Sequence, residues 1–107
     1  MKRILINAAN LHVGGGVQVA ASFILELSEM LNNFTGCQLV VYASTAVDAN
    51  LSLSGLDRSN FHNYHIVNVR GLEALKPKNA KKFYGFDLVF TIFGPLYLPR
   101  RIKNHIM

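Results

Sequence analysis

Three consecutive glycines, Gly14, Gly15 and Gly16, separate a short apolar run from a stretch of helical periodicity in INAANLHVGGGVQVAASFILEL, residues 6–27. Glycine loses more backbone entropy on folding than any other residue, so three in a row weaken any regular element. They belong where the chain needs bare backbone, for a tight turn or for the close approach of a ligand. A strand, a glycine turn and a helix together make an anion site. The helix's first N–H groups are unpaired, its dipole presents a positive end, and the missing side chains let a phosphate come near. A ligand-free turn is the simpler alternative, although a turn alone rarely needs three glycines. The spacing matches neither of two familiar phosphate loops. GGGVQV does not fit G-x-G-x-x-G, and no Gly-Lys-Ser/Thr follows.

Other residues of chemical interest lie close by. Asn10 ends the first apolar run at its C-terminal edge, where α/β sheets bind ligands, with capping or turn formation as the equal alternative. His12 stands just before the glycines, within reach of a bound acceptor or as an ordinary loop histidine. Tyr97 follows Phe93-Gly94-Pro95 and is a candidate to line a cleft. His62 and His65 flank a strand start with no catalytic spacing, and Asp87 heads a strand in a structural position. Cys37, the single cysteine, excludes an internal disulfide and suits a reducing cytosol. No histidine and cysteine spacing resembles a metal site, and no cofactor is implied.

The elements that must position these residues alternate. Residues 3–9 (RILINAA) form a buried strand. From Val17 to about Leu31, polar Gln18, Ser22, Glu26, Glu29 and Asn33 recur at helical spacing among apolar neighbours, so the helix packs against a sheet. CQLVVYAS (37–44) is a second buried strand, parallel to the first because a helix joins them. Residues 45–62 are a loop with a short helix near Ala46–Leu53. YHIVNV (64–69) is a third strand, residues 71–85 are helix-prone with a break at Pro77, and FDLVFTIFGP (86–95) is a fourth strand. The class expected is α/β, with a mainly parallel sheet, right-handed crossovers and strand one in the centre. The chain ends shortly after the fourth strand, so the sheet is expected to be incomplete.

The chain has 107 residues, half of them apolar, enough for one small domain or one part of a larger fold. No apolar run reaches the length of about 18 residues that a membrane helix needs. The basic start MKRILINAANL is interrupted by Asn7 and Asn10 and reads as a strand, not as a secretory signal. Charge is uneven. Residues 1–69 carry Lys2, Arg3 and Arg58 against Glu26, Glu29, Asp48 and Asp57, a net of −1. Residues 70–107 carry eight basic side chains against Glu73 and Asp87, a net of +6. The basic half, with Lys81, Lys82, Arg100 and Arg101, is either plain solvated charge or a face for an anionic partner such as a membrane. No RNA-binding signature or interleaving of aromatic and basic residues favours nucleic acid.

Taken together, the Gly-Gly loop opening a long helix (Gly15, Gly16, then Ile24, Leu25 and Leu27) and the late strand DLVFTIFGPLYLP (87–99) resemble the N-terminal half of retaining, nucleotide-sugar-dependent glycosyltransferases of GT-B architecture, the group-1 or family-4 type. The resemblance covers most of the chain and is strong at these two places. It implies that residues 1–107 are a partial, acceptor-side, Rossmann-like domain whose nucleotide-sugar domain is absent, along with that domain's E-x7-E motif. Gly15, Gly16 and Val17 would then meet the donor diphosphate, and Asn10, His12 and Tyr97 the acceptor or cleft. Catalytic residues stay unassigned, His105 included, because the family's histidine follows a next strand that the chain is expected to end before. The partners implied are a nucleotide-sugar donor and a glycan or lipid-linked acceptor, in the cytoplasm or at the inner face of its membrane. The alternatives are a small α/β module that binds a phosphorylated ligand without chemistry, and an inactive fragment.

Overall fold

The computed structural model describes residues 2–93, 98–100 and 104–106. The elements are β1 (Lys2–Ala8), α1 (Gly15–Glu29), β2 (Cys37–Ala43), α2 (Thr45–Leu53), β3 (Asn63–Ile66), α3 (Pro77–Ala80), β4 (Leu88–Thr91) and β5 (His105–Ile106). The sheet is parallel throughout, in the order β3-β2-β1-β4-β5. The expected α/β class with a central first strand holds, and the arrangement is that of an incomplete Rossmann-like domain. Among the described residues no helix is long and apolar enough to cross a membrane.

The strands are apolar without interruption because both faces of the sheet are covered. Ile6 and Ala8 point to one face, where they meet Leu39, Val41 and Ala43 of β2. Val17, Ala20, Ala21 and Ile24 form the buried seam of α1 on that face, and Val47 and Leu51 of α2 lie beside them. Leu5 points the other way, into a second core with Val40, Val89 and Phe83. Ala74 and Phe83, from residues 71–83, cover this second face. The path follows from crossover handedness: the chain steps from β1 to β3 with helices on one face, then returns to β4 across the other.

Several boundaries differ from the sequence expectation for identifiable reasons. α1 begins at Gly15, two residues before the periodicity does, because glycine carries no pattern. β3 ends at Ile66, yet the chain stays extended along the sheet. Val67 N–H donates to Ala43 O (2.9 Å) and Val69 N–H to Ala9 O (3.1 Å), which carries the backbone from beside β2 to beside β1. Pro77 does not break a helix. It opens the single turn of α3, at a position where the lost N–H costs nothing. Asp87 binds β1 at both backbone groups: its N–H donates to Arg3 O (2.8 Å) and its carboxylate accepts the Arg3 N–H (2.7 Å).

One expectation is corrected. The sheet does not stop at the fourth strand: His105 and Ile106 pair with Val89 and Phe90 as a parallel β5 at the edge. Two residues are too few to show a strand period in sequence. β5 is tied inward by a polar chain. Fully buried Asn7 donates from Nδ2 to Thr91 Oγ1 (3.3 Å) while its Oδ1 accepts the Ala9 N–H (3.0 Å). Thr91 Oγ1 lies 2.7 Å from His105 Nε2. The threonine hydroxyl, with one proton and two lone pairs, thus bridges the buried Asn7 and His105.

Burial also lowers the pKa of His105 below its ordinary 6.5. The unfolded chain therefore binds this proton more readily than the folded one, and folding stability rises with pH across the interval between the two values. The contribution is complete above 6.5 and is lost as the pH falls through the lower, folded value. Urea midpoints should thus be level above neutrality and decline below about pH 6.5, and His105→Gln should flatten that decline. A decline of equal size in the variant would show that His105 is not its cause.

Candidate functional site

The two strands at which the chain changes its direction of travel, β1 and β4, are neighbours. Their C-terminal ends therefore open a crevice at the topological switch point, the usual ligand position in an open α/β sheet. α1 starts at this crevice. Its three glycines turn out to have different status. Gly14 has φ +84° and ψ −169°, a conformation that is essentially glycine's alone. Gly15 and Gly16 are helical. A Cβ on Gly15 would meet nothing within 4 Å, and one on Gly16 would touch Leu11 Cδ2 and Phe93 Cδ2 at an ordinary 3.6 Å. Backbone geometry thus demands one of the three glycines, and internal packing demands neither of the others.

The helix end is open. No side chain caps it, and Val17 N–H turns back to Gly14 O (3.2 Å) while the Val17 side chain is buried in the core. For the Gly15 and Gly16 N–H groups no partner is seen among the described residues. No acidic residue occurs before Glu26 in the chain, so nothing in the loop itself opposes an anion.

The opposite wall comes from β4. Ile92 N–H donates to Asn7 O (2.9 Å), after which Phe93 adopts a positive φ of 50° with its ring more than half exposed beside Gly16. Asn10 holds this bend by donating from Nδ2 to the carbonyls of Ile92 (3.5 Å) and Phe93 (3.2 Å). Asn10 Oδ1 is buried with no partner among the described residues. His12 points away from this wall: its Nε2–H donates to Val69 O (2.7 Å), tying the glycine loop to the segment after β3. Ser44 secures the same loop. Its N–H donates to Ala8 O (3.2 Å), its hydroxyl to Leu11 O, and its oxygen accepts the Val47 N–H at the start of α2.

The structure therefore gathers Asn10, Gly15 and Gly16 at one crevice and adds Phe93, which the sequence reading passed over. Its signal was an aromatic residue ending an apolar strand, directly before Gly94-Pro95. His12 is at the loop but engaged with Val69. Tyr97 and Arg101 lie outside the described residues. Among the described residues no group of three His, Cys, Asp or Glu side chains could hold a metal ion. A separate cavity of about 410 Å³ opens between Leu31, Cys37, Phe61 and His62, beside the first residue of β2 and so at the opposite edge of the sheet from the glycines. No protein-family model, curated protein or solved structure matches the chain.

The unequal status of the glycines is measurable. Gly14→Ala forces a Cβ into a conformation that costs about 1–3 kcal/mol. Gly15→Ala removes only unfolded-state freedom and should leave stability unchanged or raise it by about 0.4–1 kcal/mol. Urea denaturation of the two variants should therefore move in opposite directions, and equal losses would contradict the assignment of the turn to Gly14.

Proposed function

We propose that this chain is the acceptor-side, N-terminal part of a GT-B glycosyltransferase, and that its crevice contacts the diphosphate of a nucleotide-sugar donor. The observation that carries the reading is the pair Gly15 and Gly16. Two glycines open a helix although neither backbone nor internal packing needs them there. In a helix each is less favourable than alanine by up to about 1 kcal/mol. Their N–H groups face a crevice with no acidic residue in its loop, and space is left where a phosphate would approach.

In this reading the Gly15 and Gly16 N–H groups orient the diphosphate and Phe93 walls the sugar or acceptor side. Asn10 keeps Phe93 in place. The grip on the nucleotide belongs to a second domain carrying the family's acidic motif. The acceptor is a growing surface polysaccharide or a lipid-linked glycan, handled on the cytoplasmic side.

A helix end in an exposed setting contributes roughly 0.3–1 kcal/mol, so the chain alone binds a donor weakly and transfers no sugar. Nitrogen-15 spectra of the chain titrated with nucleotide-sugars and with pyrophosphate should show the Gly15 and Gly16 amides moving most. Gly16→Val, which puts a branched side chain at the approach, should abolish those movements in a variant that circular dichroism shows to be folded. Silent glycine amides at millimolar pyrophosphate would leave the loop as a turn only, and sugar transfer by the 107-residue chain itself would refute the partial-domain reading.

A further inference from the structure

The two faces of the sheet are covered unequally. On the second face residues 71–83 form a layer made of one 3-10 turn (Gly71–Leu75), α3 and another 3-10 turn (Lys81–Phe83), anchored by buried Ala74, Ala80 and Phe83. The connection from β4 to β5 keeps to that side where it is described. Leu98 packs against the second core, and the Tyr84 hydroxyl donates to Arg100 O (2.7 Å) and accepts the Arg100 N–H (2.8 Å). On the first face α1 and α2 pack over β1 and β2, and among the described residues no further helix follows them over β4 and β5.

The outcome is an apolar strip. Phe90 of β4 points to the first face and is only partly buried, and Ile106, its register partner on β5, is half exposed. The Phe23 ring of α1 stacks on Phe90 with 5.7 Å between centroids, and Phe23 itself is 39% exposed. Val19, one turn before Phe23, and Met30, at the C-cap, extend the strip along the same flank of the helix, each about half exposed.

The charges of this helix are inverted relative to its dipole. α1 contains no lysine or arginine, and its two acids, Glu26 and Glu29, are both exposed in the last turn. There they meet the negative end of their own helix, while the uncapped positive end has no acid in its first turn. Such a helix is complementary to a copy of itself laid antiparallel. The layer on the second face offers no such match. Its exposed Leu72 and Leu75 stand among Lys76, Lys78, Lys81 and Lys82, whose like charges oppose self-pairing.

We infer that the strip is the interface of a two-fold symmetric dimer of this chain, with the two α1 helices antiparallel and side by side. Each copy covers the partner's Phe90 and Ile106 with its own Val19, Phe23 and Met30, and brings Glu26 and Glu29 toward the open end of the partner's helix. Two-fold pairing uses one patch on both copies, so assembly closes at two. Aromatic residues and methionine without charge at the centre are the composition of an interface core. A lipid surface would call for basic residues beside the apolar ones, and this helix has none. The inference is independent of the diphosphate reading, which concerns the tip of α1 and not its flank.

Sedimentation equilibrium of the whole chain, with no nucleotide-sugar present, should resolve monomer and dimer and no larger species. Phe23→Glu should raise the dimer dissociation constant about thirty-fold or more, as loss of a central anchor does. Val19→Glu, at a more exposed position, should act in the same direction, and circular dichroism verifies that both variants fold. Glu26→Gln with Glu29→Gln should weaken the dimer while raising the thermal stability of the monomer, because the acids suit the partner's helix end and not their own. Leu72→Ser with Leu75→Ser should leave the dimer unchanged. A chain that stays monomeric at millimolar concentration would overturn the proposal, as would an open series of larger species. A dimer that survives both Phe23→Glu and Val19→Glu, or is lost in the Leu72→Ser, Leu75→Ser variant, would place the interface elsewhere and overturn it too. A dimer indifferent to Glu26→Gln with Glu29→Gln would overturn the antiparallel pairing.

Discussion

β1 has ladder partners along both edges and apolar cover on both faces, and the chain reverses its direction of travel between it and β4. Most other features of the molecule depend on that placement. A strand enclosed on four sides must satisfy its backbone within the sheet and its side chains within two cores, which is why residues 4–9 contain one polar residue, Asn7, and why its side-chain nitrogen and oxygen each have a partner. Because the crossovers on either side of the reversal run over opposite faces, neither of them covers the C-terminal ends of β1 and β4 among the described residues. The crevice is thus a consequence of topology, and the glycine loop lies at it because it is the first connection leaving β1.

The crevice is braced by amides. Phe93 adopts a backbone conformation that costs a non-glycine residue about 1–3 kcal/mol, and it persists only where the surroundings hold it. Asn10 supplies the hold from β1, donating to the carbonyls on both sides of the bend. Asn7, three residues earlier, makes the corresponding link to Thr91 inside the sheet. The two asparagines therefore join β1 to β4 and to the bend that follows it, one inside the sheet and one at the crevice. His12 and Ser44 do the same for the glycine loop on the β2 and β3 side.

The parallel sheet, the central first strand and both longer helices were legible in the sequence, because buried strands leave continuous apolar runs and α1 shows a 3.6-residue period. β5 was not, since two residues carry no period and its pairing depends on residues that are distant in the chain. The glycine triplet announced a special position, yet sequence could not divide the roles. Only φ at Gly14 and the open space around Gly15 separate the glycine that the turn requires from those it does not. Asn10 and His12 drew attention by place, whereas their partners, the carbonyls of Phe93 and Val69, are backbone atoms that no residue pattern reveals. The basic excess after residue 70 was plain in composition. That it collects beside two exposed leucines emerged only when Ala74, Ala80 and Phe83 were seen to take the inner side of the layer.

The helix end at the glycines and the lysines of residues 76–82 are positive features that differ in kind. The helix end at the glycines offers directed N–H groups but few of them, and a contribution of roughly 0.3–1 kcal/mol at an exposed helix end is too small to retain a ligand. In the proposed function its part is orientation, because a phosphate meeting Gly15 and Gly16 would lie in register with the end of β1 and beside Phe93. Lys76, Lys78, Lys81 and Lys82, in the layer of residues 71–83 over the second face, offer exposed charges with no fixed direction. Val69 links the two, since its carbonyl receives the His12 side chain at the glycine loop and its chain continues through Arg70 into the layer. A displacement of the layer would thus be felt at the loop through one hydrogen bond of 2.7 Å.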